Sequence, residues 1–304
     1  MTDSRPLILI TNDDGIEAPG LFHLIDCVAE LGDIVVVAPA RPQSGQSSAF
    51  TVNAPLRVRD HADYHGATMH SVDGTPVDCV KLSMHHILPR RPDLLLSGIN
   101  HGSNAGNSLI YSGTMGAALE GCMQGIASVG FSLLHHSLKA DFTECTPYVT
   151  DVARRVLDHG LPHDVCLNIN FPAKVHIEGM KVVRAARSHW TEEYQTYTDP
   201  HGKPFYWLTG SLVNEEPEMA DTDLYWLDRH YASVVPCTPD QNLPGAMAAV
   251  RSLLNTSEWW DAPTRSSTAR PPSLRCIEQC RASARVRRSK GRVSSGRCSR
   301  FRDW

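Results

Sequence analysis

Long apolar runs are missing from this sequence: no uninterrupted stretch approaches the roughly 20 residues a membrane-spanning helix needs. The amino terminus also lacks a basic region followed by an apolar one. Met1 to Pro6 is short and polar and runs straight into an apolar segment, so no signal peptide is read and a cytoplasmic location is expected. The nine cysteines form no zinc-type double pair. Cys276 and Cys280 are spaced four apart without a second such pair, while Cys27, Cys79, Cys122, Cys166 and Cys237 sit inside apolar patterns, as reduced buried thiols do. Two phosphate signatures are absent as well. No Walker loop with its Gly-Lys-Ser or Gly-Lys-Thr is present, and neither is the Gly-x-Gly-x-x-Gly of dinucleotide binding. No internal repeat is visible.

What remains has the make-up of a folded core. A chain of 304 residues, 41% hydrophobic and 20% charged, suits a large α/β domain with an appendage. The net charge of −4 conceals a split. Thr264 to Trp304 carries twelve Lys and Arg against two acidic residues, whereas the rest carries 17 basic and 31 acidic groups. From Ala262 onward apolar periodicity gives way to Pro, Ser and Arg. Residues 262–304 therefore read as a basic, disordered tail after a domain over residues 1–261. Such a tail suits nucleic acid or an acidic surface, and equally an extension of no consequence.

Leu7 to Thr11 is a short apolar run closed by Asn12-Asp13-Asp14-Gly15, which reads as a buried strand and a tight loop. Pro19 suits a first helical turn, and Leu21, Leu24, Ile25, Val28 and Leu31 follow at helical spacing until Gly32. Ile34 to Ala38 is a second apolar strand. Continuous apolar strands around a helix imply a parallel sheet covered on both faces. The alternation continues with a strand over Asp93 to Leu96, a loop over Ser97 to Tyr111, and a helix opened by Ser112-Gly113-Thr114. Then come a strand over Ala127 to Leu134, a helix over Tyr148 to Leu157 and a strand over Val165 to Ile169. Lys181 to Ala185 and Phe205 to Val213 read as strands of a hairpin arm, approximately residues 180–213. Tyr231 to Val235 returns to a sheet and Pro244 to Leu254 forms a last helix. The expected fold is α/β, a Rossmann-like, mostly parallel sheet with helices on both faces and a protruding arm.

In open α/β sheets ligands bind beyond the carboxyl ends of the strands. Asn12 to Gly15, Arg41 to Ser48 and Ser97 to Tyr111 occupy that position, and oxygen and amide groups dominate them. Such donors suit a hard cation, Mg²⁺ or Mn²⁺. Asp13 and Asp14 are adjacent like charges, costly unless a cation or hydrogen bonds offset them. A turn whose aspartates cap the next helix is the alternative. Ser44 reads first as a turn serine, and Asn100 lies in the bend Ser97-Gly98-Ile99-Asn100. Gly102 to Asn107 and the helix start at Ser112 provide backbone donors for phosphate, although Ser112 is also a plain helix cap. His85-His86, His135-His136 and His101 read as surface histidines, and Trp190, Tyr194 and Tyr197 as oligomer contacts before base-stacking groups.

Together, Ile10-Thr11-Asn12-Asp13-Asp14-Gly15, Ala38-Pro39 through Gln43-Ser44-Gly45, Ser97-Gly98-Ile99-Asn100 and Tyr111-Ser112-Gly113-Thr114 resemble the signature blocks of the SurE nucleotidase family, in order and at matching intervals. Gly102 to Gly106, Ala117 to Gly121 and Thr222-Asp223 through Pro236 are similar too, so the resemblance runs from about Pro6 to Leu254. It implies a metal-dependent phosphomonoesterase that hydrolyses nucleoside monophosphates, a 5′-nucleotidase with 3′-nucleotidase and exopolyphosphatase activities left open. It implies one divalent cation, Mg²⁺ or Mn²⁺, held by Asp13, Asp14, Ser44 and Asn100. Asp13 and Asp14 become the catalytic pair, and Asn12, Asn104, Ser112, Gly113 and Thr114 the phosphate side. The resemblance further implies an arm exchanged between subunits of a homodimer or homotetramer.

Two rivals stand beside that reading. One is another enzyme on a Rossmann-like core, such as a nucleoside hydrolase or a dehydrogenase. The other is a non-catalytic nucleic-acid-binding protein working through the basic tail. The order Asn-Asp-Asp-Gly differs from the Asp-x-Asp of aspartyl-phosphate phosphatases, which argues against a covalent intermediate. A chain ending near Trp260 is expected to keep the catalytic constant and metal dependence of the full protein. Any loss of affinity should fade with salt, since screening shortens to about 8 Å at physiological ionic strength. A salt-independent collapse of the catalytic constant would put the tail inside the active structure.

Overall fold

A computed structural model describes residues 5–137 and 139–254. The described residues divide into two units, one ending at Gln241 and one beginning at Asn242. The tail and the domain boundary expected at residue 261 lie outside the described residues.

The first unit runs β1 (Leu7–Thr11), α1 (Pro19–Val28), β2 (Asp33–Pro39), β3 (Val58–Asp60), β4 (Thr68–Val72), α2 (Pro76–Leu82) and β5 (Leu94–His101). It continues α3 (Gly113–Met123), β6 (Ala127–Leu133), α4 (Thr146–His159), β7 (Cys166–Phe171) and β8 (Met180–Val182). Then come β9 (Ser188–Thr191), β10 (Tyr194–Thr198), β11 (Pro204–Leu208), β12 (Ser211–Asn214), α5 (Asp223–Leu227) and β13 (Ala232–Cys237). In the second unit a 3-10 turn, Pro244–Ala246, leads into α6 (Met247–Leu254).

Nine strands form one sheet in the order β3-β4-β2-β1-β5-β6-β7-β13-β8. From β4 to β7 all pairings are parallel; β3 runs antiparallel to β4 and β13 antiparallel to β7, while β8 pairs in parallel with β13. Every residue of β1 is buried, as expected for a strand covered on both faces. Ile8 and Ile10 join Leu21, Leu24 and Ile25 of α1 and Val149 and Ala153 of α4 on one side. Leu9, Val37 and Leu95 join Cys79 and Val80 of α2 and Ala117 of α3 on the other. Burying each of the Leu, Ile and Val side chains among these contributes about 1.5–3 kcal/mol. The Rossmann-like expectation therefore holds.

The order of strands fixes where a ligand binds. From β1 the chain moves outward to β2, then returns to place β5 on the opposite side of β1. The loops after β1 and β5 diverge from that switch point, leaving a crevice between them.

Three elements differ from the sequence reading. β5 does not end at Leu96; it runs through Ser97-Gly98-Ile99-Asn100 to His101, and its register against β6 shifts between Ser97 and Asn100. Glycine at 98 permits this, because φ is +131° and a Cβ would meet the Phe131 carbonyl oxygen at 2.4 Å. α1 stops at Val28, before Leu31 and Gly32. Gly32 serves close packing instead: a Cβ there would lie 2.4 Å from the Pro6 carbonyl oxygen. Residues 180–182 are not arm but edge strand, paired in parallel with β13. The arm is two successive antiparallel pairs, β9 with β12 and β10 with β11.

Candidate active site

Asp13 and Asp14 follow β1 after one intervening residue, Asn12. Asn12, buried beside them, closes their loop on itself: its Nδ2 donates to the Gly15 carbonyl at 2.9 Å, and the Gly15 N–H donates back to Oδ1 at 3.2 Å. Gly15 has φ of +99°, which a side chain would strain. The backbone holds both aspartates at the mouth of the crevice.

Asp13 is buried against the start of α3. The Thr114 hydroxyl donates to its Oδ1 at 2.5 Å. A Cβ on Gly113 would lie 2.8 Å from the Asp13 Cβ, so glycine lets the helix start press onto the carboxylate. The positive end of the helix dipole favours an anion there. Burial still pushes the Asp13 carboxyl up to about 6, with the charge of Asp14 adding to the rise and hydrogen bonds from Thr114 opposing it. Asp14 is also raised by burial, against which the His101 N–H, donating to Oδ2 at 2.9 Å, and nearby His136 act.

Ser44 reaches this place through its neighbour, since the Gln43 N–H donates to the Asp13 carbonyl at 2.7 Å. Ser44 itself is exposed. The same loop is fastened to α3: a Cβ on Gly116 would meet the Ser47 carbonyl oxygen at 2.1 Å, and the Ser47 hydroxyl donates to the Ile110 carbonyl at 2.6 Å. Asn100 is buried at the end of β5, with Nδ2 donating to the Gly102 carbonyl at 2.9 Å. The amide nitrogen is thereby occupied and Oδ1 is the group left for a cation. Ser112 caps α3 by accepting the Met115 N–H at 3.0 Å.

The donor set fits a hard divalent cation. Among the described residues no Lys or Arg bonds to Asp13 or Asp14, and no three His, Cys, Asp or Glu side chains gather as a metal cluster. Two neighbouring carboxylates without a cationic side chain suit an ion that accepts carboxylates and neutral oxygens as ligands.

Several contacts escaped the sequence reading. Asn104 is locked by a buried polar network. Its N–H donates to Asn170 Oδ1, its carbonyl accepts from Asn168 Nδ2, and its Nδ2 donates to Ser132 Oγ, each at 2.8 Å. Asn168 and Asn170 share one face of β7, and two amides inside an apolar strand are a signal that buried polar groups need partners. Asp223 is buried too, receiving the Gly106 N–H at 2.8 Å. His101 is half-buried rather than superficial; burial lowers its pKa and its ring packs edge-on against Phe142, with centroids 5.1 Å apart. His136 stands beside Gly102, where a Cβ would lie 2.7 Å from its Cε1.

A doubly wound sheet with a carboxylate pair and a helix amino terminus meeting at its switch point defines an α/β protein whose site suits an anionic ligand and a cation. Comparison with known proteins narrows the class. The profile of the family described as survival protein SurE matches residues 8–192. A protein named 5′-nucleotidase SurE from Phocaeicola vulgatus is 42% identical over 252 residues, 83% of this chain and 98% of the relative. One of the same name from Christiangramia forsetii is 48% identical over 246 residues, 78% of this chain and 92% of the relative. A crystal structure of SurE protein from Aquifex aeolicus aligns with a TM-score of 0.71 at 37% identity, covering 82% of this chain and 100% of that one. The chain belongs to the SurE family.

The close approach of α3 to Asp13 is open to test. Gly113→Ala is expected to fold but to displace the carboxylate, weakening Mn²⁺ binding about tenfold or more, since shifts near 1 Å at a site are this costly. Calorimetric titration of Mn²⁺ checks it; a parent-like dissociation constant contradicts the packing described.

Proposed function

We propose that this chain is a metal-dependent phosphomonoesterase that removes phosphate from nucleoside monophosphates, a 5′-nucleotidase. The observation that carries the reading is the buried Asp13–Asp14 pair under the positive end of α3, in a chain of the SurE family whose relatives bear that name. Asp13, Asp14, Ser44 and Asn100 hold one divalent ion, Mg²⁺ or Mn²⁺. When bound, the ion supplies positive charge for the phosphate oxygens and for the attacking water.

The remaining work falls to the chain. Asn12, Asn104, Ser112, Gly113 and Thr114 form the phosphate side. The Thr114 hydroxyl orients Asp13, and Ser112 fixes the first turn of α3, whose dipole stabilises charge on the transferring phosphoryl group. The Asn12 side chain binds its own loop and that of Asn104 binds Ser132 on β6, so both shape the walls around the phosphate. No observation among the described residues favours the nucleic-acid-binding alternative. The six described cysteines are all free, which suits a reducing compartment such as the cytoplasm, and no described helix is long and apolar enough to cross a membrane.

The arm supports a homodimer or homotetramer. Tyr194 at 66%, Trp207 at 64% and Leu208 at 66% exposure are large apolar groups on a two-stranded ribbon, which is marginal alone in water. Light scattering is expected to find an oligomer, and a folded, active monomer would contradict the assignment.

Asp13→Asn and Asp14→Asn are each expected to abolish nearly all phosphate release, because an amide does not replace carboxylate charge at a hard-cation site. Ser44→Ala and Asn100→Ala should instead raise the Mn²⁺ concentration for half-maximal activity. Near-normal turnover in either aspartate variant, with metal content unchanged, sinks the site assignment.

A further inference from the structure

Asp223 lies outside the catalytic loops, at the first residue of the short helix α5, yet it is fully buried. Its oxygens accept three backbone N–H groups. Oδ2 takes Gly106 at 2.8 Å, while Oδ1 takes Ala186 at 2.8 Å and Leu224 at 2.7 Å. Gly106 belongs to the site loop between Asn100 and α3; Ala186 belongs to the root of the arm. Next to it, the Asn107 N–H donates to the Ser188 hydroxyl at 2.9 Å, and a Cβ on Gly106 would lie 2.5 Å from that same Oγ. The far side of the loop is held by the asparagine network on β7.

We propose that Asp223 is a positioning residue for the active site, clamping the loop of residues 102–107 to the root of the arm. The inference rests on the function proposed above. Both ends of this loop reach the machinery: the Gly102 carbonyl orients Asn100, and the far end feeds Ser112 and the first turn of α3. A carboxylate is required because it presents two acceptor oxygens and no donor. An amide would turn its NH₂ toward one of the backbone N–H groups and release that side. Charge-assisted bonds to backbone N–H groups are also about twice as strong as neutral ones. The clamp makes the arm more than an assembly device, since movement at its root is passed to Gly106 and Asn107.

The test is Asp223→Asn in the full chain, read by amide hydrogen exchange over residues 103–107 and by steady-state kinetics on adenosine 5′-monophosphate with Mn²⁺. The expected result is faster exchange confined to that loop and the arm root. With it, kcat falls about tenfold or more while KM stays within about twofold, the signature of lost transition-state alignment. Parent-like exchange in the loop overturns the clamp, and faster exchange with a parent-like kcat overturns the positioning role. If the parent chain releases no phosphate from any nucleoside monophosphate, the proposed function fails; the exchange measurement still decides whether Asp223 holds the loop. Should Asp223→Asn not fold, Ser188→Ala carries the same test from the arm side by deleting the acceptor of the Asn107 N–H. It should raise loop exchange and lower kcat about threefold, as loss of one modest hydrogen bond does. No change in either quantity overturns the clamp.

Discussion

Two adjacent carboxylates at the end of a buried strand are the constraint on which the site is built. Left alone, Asp13 and Asp14 repel each other and lose hydration, and the rise of Asp13 to about 6 expresses both costs. The protein offsets part of this with dipoles and hydroxyls rather than with cationic side chains. Thr114 donates to Asp13, the first turn of α3 faces it, and the His101 N–H reaches Asp14. A lysine or arginine in their place would satisfy the pair too well and exclude an outside cation. The partial compensation keeps the folded chain viable while leaving charge for a ligand.

Such compensation needs backbone to come close, and this explains the glycines. Gly113 lets α3 touch Asp13, and Gly116 lets the Ser44 loop lie across the same helix. The donors come from four elements, β1, β5, α3 and the loop after β2, so the sheet register sets their relative positions before any side chain adjusts. Loops alone do not hold that accuracy. Hence the buried asparagines under Asn104, whose hydrogen bonds convert a six-residue connection into a fixed wall, as a preorganised site requires.

The sequence made the layered core legible because its strands are unbroken apolar runs and its helices carry clear apolar spacing. Leu7–Thr11 and the start of α3 at Ser112 were readable to the residue. The paired aspartates stood out for their charge, and Ser44 and Asn100 through the family resemblance alone. Less legible were features set by distant contacts. β5 continues through Ser97-Gly98-Ile99-Asn100 because β6 accepts a shifted register there, which no local propensity announces. Asp223 entered the sequence reading only within a block of the family resemblance; its bond to the Leu224 N–H is local, but the bond to Gly106 spans 117 positions. Met180–Val182 was read with the arm because its partner, β13, arrives fifty residues later.

The balance left for a ligand also ties binding to folding. A cation that binds the folded chain, and not the unfolded one, stabilises it by RT ln(1 + [L]/Kd), about 2.7 kcal/mol at a hundredfold excess over Kd. That gain concentrates where the carboxylates repel, at the ends of β1 and β5 and the start of α3. These elements form the central part of the sheet and one covering helix, so relief at the site is relief in the core. The asparagine network and Asp223 lie one step further out and contribute without the ion. With the cation at the proposed site, two tasks separate: the buried polar contacts fix geometry without the ion, and the ion offsets the repulsion of the carboxylates. A site relying on the cation for both would lose its shape with each dissociation, and the buried hydrogen bonds around Asn104 and Gly106 prevent that.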